Sequence, residues 1–91
     1  MRRMKLSNNR ELYEYLLLLA SQLESRGAEV LSKDVSAAAR TANAFPATEF
    51  LGESRIALRR VLAEENSFLS QIDLAELQDV LGQLDAALDS R

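Results

Sequence analysis

The stretch ELYEYLLLLASQLESRGAEVLSKDVSAAARTANAFP, residues 11–46, decides the fold. Its apolar residues recur twice at helical spacing, and a glycine separates the two runs. Leu12, Leu16, Leu19, Ala20 and Leu23 form the first stripe, along one side of a helix over about 9–25. Asn8 and Glu11 have the spacing of a capping box, in which side chains satisfy the free amides at a helix start. Gly27 follows as the C-terminal cap, because glycine takes left-handed backbone without steric cost. Leu31, Val35, Ala38, Ala39 and Ala42 form the second stripe, over about 28–44. Its alanines make a flat face that another helix can approach closely. Phe45 precedes Pro46, and a residue before proline is pushed out of helical geometry, so this helix stops there. The short connection at Gly27 makes the two helices neighbours in a hairpin.

Two more helical runs follow Pro46. The third, over about 48–68, carries Phe50, Ala57, Leu58, Val61 and Leu62, with Phe68, Leu69 and Ile72 in phase. It either continues to Phe68 or breaks near Asn66 and Ser67. The fourth, over about 74–89, has Asp73 as its N-cap, Glu76 at capping-box spacing, and Ile72 with Leu77 as a hydrophobic staple. Leu74, Leu77, Leu81, Leu84 and Leu88 are its buried stripe. No segment alternates at period two with β-branched residues. The expected fold is all-α, an antiparallel four-helix bundle in a single domain spanning 1–91, with residues 1–7 a flexible tail. A chain of this length buries roughly 60–65% of its unfolded surface.

The composition removes most catalytic chemistry. There is no cysteine and no histidine. Disulfides, thiolate metal sites, the commonest general base and the usual hydrolytic triad go with them. Lys33 with Ser32 or Ser36 has the spacing of a Ser–Lys pair, but Lys33 falls on the polar side of its helix rather than in the apolar setting such a lysine needs. The carboxylate pairs Glu76/Asp79 and Asp85/Asp89 lie in no calcium-loop pattern. Gly27, Gly52 and Gly82 are too dispersed for a phosphate-binding loop. The apolar run Tyr15–Ala20 is too short to span a membrane, and Glu11 and Glu14 before it are wrong for a signal peptide. The expectation is a cytoplasmic protein that is not an enzyme and holds no cofactor or metal.

Two surfaces then stand out. The net charge of −3 is unevenly spread: residues 1–60 hold ten basic residues against seven acidic, whereas residues 61–91 hold Arg91 against seven acids. Glu76, Asp79, Asp85 and Asp89 form a candidate acidic face on the last helix, for a basic partner, against the simpler reading of a solvated surface. Asp85 and Asp89 stand near the negative end of the helix dipole, at a cost of ~0.3–1 kcal/mol each. Arg55 and Arg59 share one side of the third helix and could meet that acidic helix across an interface. The second surface is apolar. Leu17 and Leu18 fall outside the main stripe of the first helix, with Tyr13 beside them, and Ile56 falls among charged residues of the third. Either the first helix is central in the monomer, or its second face meets another chain, a homodimer being one form of that contact. The composite expectation is a protein–protein interaction module, adaptor- or inhibitor-like. The alternative is a DNA-associated regulator with the first two helices as a helix-turn-helix-like pair, exposing Ser32, Lys33, Ser36 and Arg40. The acidic total and the few basic residues make nucleic acid the weaker reading.

Overall fold

The computed structural model describes residues 9–44, 47–64 and 69–89. They form four helices: α1 (Asn9–Ser25), α2 (Glu29–Ala44), α3 (Ala47–Ala63) and α4 (Gln71–Asp89). Each helix packs mainly on its neighbour in the chain, α1 on α2, α2 on α3 and α3 on α4. This is the expected all-α four-helix bundle, with no strand among the described residues. Asn8 and the expected tail, like Phe45, Pro46 and Phe68, lie outside the described residues.

The turn between α1 and α2 explains why these two helices fold back on each other. Gly27 has φ +87°, the left-handed region. The Ala28 amide donates to the Leu23 carbonyl at 2.9 Å, and the Gly27 amide to the Glu24 carbonyl at 3.1 Å. These two bonds are the Schellman pattern, and they satisfy carbonyls the helix leaves free. Leu23 and Ala28, the residues that should touch in that motif, are both buried. The Ala28 carbonyl already accepts from the Ser32 amide at 2.9 Å, so α2 begins at once. Ser32 is where position and expectation part. It is buried rather than exposed, and its hydroxyl donates to the Ala20 carbonyl of α1 at 2.8 Å. The small side chains Ala20, Ala38 and Ala39 are buried too, and the close approach they permit brings that hydroxyl within reach of a neighbouring backbone.

Two helix boundaries differ from expectation. The third helix ends at Ala63, short of Phe68 and a few residues before the alternative break near Asn66 and Ser67, closing with a tight Glu64 amide to Val61 carbonyl bond of 3.2 Å. Glu64, the first residue past the helix, opposes the dipole at a helix C-terminus. The fourth helix begins at Gln71 rather than at Leu74. Its cap is Ser70, whose Oγ accepts from the Asp73 amide at 3.2 Å, while its carbonyl accepts from Leu74 at 2.9 Å. Asp73 is therefore in the first turn, where its charge suits the positive helix end, and is not the cap. The staple positions move with the cap. Leu69 and Leu74 take them, Leu69 buried and Leu74 packed against the core, while Ile72 is 68% exposed.

One core joins all four helices. Leu12, Leu16, Leu19 and Leu23 of α1 meet Val35 of α2, Phe50 and Leu58 of α3, and Leu77 and Leu84 of α4 in a single cluster. Val80, absent from the expected stripe of α4, is fully buried between Leu77 and Leu84 on the same side. Ser54 is buried in α3 and donates to the Phe50 carbonyl one turn back at 2.7 Å, so its hydroxyl carries no unmet demand. Among the described residues, no helix is long and apolar enough to cross a membrane.

Candidate interaction surfaces

The acidic residues of α4 are largely answered within the chain. Arg59 Nη2 lies 3.1 Å from Asp85 Oδ1, and Arg55 Nη1 lies 3.3 Å from the same oxygen. Arg55 also reaches Asp89 at 3.5 Å. Two arginines on one side of α3 thus hold the two acids at the unfavourable end of the α4 dipole. Asp79 accepts from Gln83 Nε2 at 3.2 Å, one turn on. Glu76 is half-buried. The four acids therefore do not stand as one bare anionic face. The cross-chain role the arginine pair offered in sequence is filled by helices of the same molecule.

This network contributes modestly. Asp85 is 40% exposed and Arg59 is 59% exposed, so water and salt screen the pairs. Asp85→Asn is expected to lower stability by roughly 1 kcal/mol or less in urea titrations at low salt. The difference should close near about 1 M salt, where the screening length falls to roughly 3 Å. An undiminished difference at high salt would assign the loss to packing instead.

The beginning of α4 is tied to the turn that follows α1. Arg26 Nη1 lies 3.2 Å from Asp73 Oδ2, across a sequence separation of 47 residues. Near that junction Tyr15 is buried at 3% exposure. Loss of water around the phenol, then the negative charges of Glu76 and Asp73, push its pKa well above the usual tyrosine value of 10.0. Neither contact has a local sequence signature. Both depend on where α4 lands against α1.

Between α2 and α3 runs an open groove of about 240 Å³, lined by Ala37, Ala38, Thr41, Glu53, Ile56 and Ala57. Asp34 and Arg60 complete its wall and pair with each other at 3.6 Å. Ile56, 48% exposed, belongs here, and no residue of α1 lines this groove. The structure therefore does not bring Ile56 together with the candidate apolar residues of α1.

Those residues are placed as follows. Tyr13 is half-buried and packs against the core. Leu17 and Leu18 are 45% and 54% exposed, on a helix whose main stripe is already fully used. They are flanked by Arg10, Glu14, Ser21 and Ser25, all exposed. Arg10 and Glu14 pair weakly at 3.6 Å along the helix. On α2, Lys33 and Arg40 are exposed, Ser36 is half-buried and Ser32 is buried, so the four do not share one open face.

The molecule so defined is an all-α four-helix bundle whose α4 has Asp73, Asp85 and Asp89 paired with arginines and whose α1 leaves Leu17 and Leu18 exposed. No family model matches the chain, and no curated protein or solved structure does either.

Proposed function

We propose that this protein is a non-enzymatic interaction module, an adaptor or inhibitor in the cytoplasm, and that it docks through the outer side of α1. One observation carries the reading: Leu17 and Leu18 stay about half exposed although the apolar stripe of α1 is complete without them. A surface helix needs one apolar stripe for its own fold, and a second is explained by contact with another protein. The ion pairs of Asp85 and Asp89 with Arg55 and Arg59 reduce what the acidic helix offers a basic partner. The nucleic-acid alternative is left with Lys33 and Arg40 as the only cations of α2. Phosphate contacts supply most nonspecific affinity for nucleic acid, so two cations give it little.

The test is a pair of tagged baits in lysate of the native host, wild type and Leu17→Glu with Leu18→Glu. A protein held in fixed stoichiometry by wild type, whether this chain or another, and lost by the variant is the expected result. Absence of any stoichiometric protein on the wild-type bait, together with no self-association of the purified chain, would overturn the reading. Circular dichroism of the variant should keep the helical signal, because neither leucine is in the core.

A further inference from the structure

We infer that the occupant of the α1 surface is a second copy of this chain, bound as an antiparallel α1–α1 contact about a two-fold axis beside Leu17 and Leu18. This rests on the interaction-module reading and names its partner.

A helix turns about 100° per residue. On that turn Glu14 and Ser21 lie opposite the buried stripe of Leu12, Leu16, Leu19 and Leu23. Leu17 and Leu18 straddle the line they define, and Arg10 and Ser25 stand near its two ends. All six of these outer residues are exposed, which agrees with the wheel. The face is complementary to itself in one direction only. An antiparallel copy centred between Leu17 and Leu18 sets Leu17 against Leu17 of the second copy on one side of the axis line and Leu18 against Leu18 on the other. It sets the Glu14 carboxylate opposite the Ser21 hydroxyl, which can donate to it. It sets Arg10 at the level of Ser25, on the flank where Glu24, also exposed, supplies a carboxylate. A parallel copy would stack Arg10 on Arg10 and Glu14 on Glu14, and like charges facing each other oppose association.

A closed two-fold contact of this kind uses the same patch on both copies, so it needs no second, different surface. Arg10 already shares Glu14 within its own helix at 3.6 Å and at 85% side-chain exposure, so moving to a carboxylate of the second copy sacrifices little. The apolar centre is small. The association is accordingly expected to be weak and concentration-dependent.

Sedimentation equilibrium of the purified chain tests the pairing, and spin-label distances test its direction. Wild type should pass from monomer to dimer with rising concentration. Leu17→Glu with Leu18→Glu should weaken that dimer by about a hundredfold, roughly threefold for each of the four leucines that the two copies withdraw from water. The chain has no cysteine, so Ser25→Cys gives a single labelling position. In the antiparallel pair the two labels stand about 20–25 Å apart along the axis, from a rise of 1.5 Å per residue, and in a parallel pair about 10 Å. The label reads the wild-type leucine face, so it decides even if the glutamate variant does not fold. A monomer at every concentration, together with a lysate partner lost by the leucine variant, would overturn the dimer and leave the interaction reading standing. A monomer with no lysate partner would remove both. A dimer with close labels, or one indifferent to the leucines in a folded variant, would also overturn the inference.

Discussion

Phe50→Ala is expected to cost about 3–5 kcal/mol, the usual loss for a fully buried aromatic side chain. Phe50 is 1% exposed and lies in the single core cluster, with Leu58 beside it in the same helix stripe. Total stability for a chain of 91 residues is about 5–14 kcal/mol. The substitution therefore removes a large part of it, and the thermal midpoint should fall by roughly 12–40 °C. Leu62→Ala in the same helix is the control. Leu62 is 38% exposed, so its loss should be under about 1 kcal/mol. Urea titrations followed by helical circular dichroism measure both. A Phe50→Ala loss no larger than that of Leu62→Ala would mean that α3 does not bury the face described here.

The contrast between those two residues shows what a sequence can and cannot disclose. Period alone put Phe50 and Leu62 on one stripe, and it correctly placed the stripes of α1 and α2 and the glycine between them. Such features are local: a side chain three or four residues on faces the same way whatever the rest of the fold does. How deeply each member sinks depends on where the next helix lies, and Leu62 sits at the edge of that contact. The start of α4 failed for a different reason. Ser70-x-x-Asp73 and Asp73-x-x-Glu76 both have cap-like spacing, and Leu69/Leu74 and Ile72/Leu77 both have staple spacing. Only the tertiary fold chooses between two equal registers, and it buries Leu69 while leaving Ile72 exposed. The surfaces divide in the same way. The surplus of Leu17 and Leu18 is visible in the helical period. The neutralisation of Asp85 and Asp89 by Arg55 and Arg59 spans 26 to 34 residues and required knowing that α3 and α4 pack together. Polarity alone places Ser32 outward, but a hydroxyl can be buried where a carbonyl of a close neighbouring helix accepts its hydrogen bond, as that of Ala20 does.

Tyr15 makes the bundle sensitive to alkali in a way that Tyr15→Phe should abolish. Its phenol is buried, and the nearby carboxylates of Glu76 and Asp73 on α4 add to the penalty for ionising it. The neutral form is thus favoured in the folded state, whose pKa lies above the unfolded value of 10.0. As the pH rises past that value, the unfolded chain releases its proton first, and the folded state binds more protons than the unfolded one. Stability is then full below about pH 10 and falls with rising pH, by up to about 1.4 kcal/mol per unit, until the folded-state phenol also ionises. Tyr15→Phe cannot release that proton. Whatever fixed change the substitution makes at neutral pH, its stability should decline less steeply above pH 10 than that of wild type, by about 1 kcal/mol per unit. Urea titrations at matched alkaline pH values compare the two slopes, and the difference in phenolate absorbance between native wild type and Tyr15→Phe, which keeps Tyr13, isolates the same ionisation. Parallel slopes would mean that Tyr15 ionises as readily in the folded state as in the unfolded one, and the burial of its phenol would have to be abandoned. A steeper wild-type slope that survives Glu76→Gln would assign the effect chiefly to loss of water, the larger of the two causes.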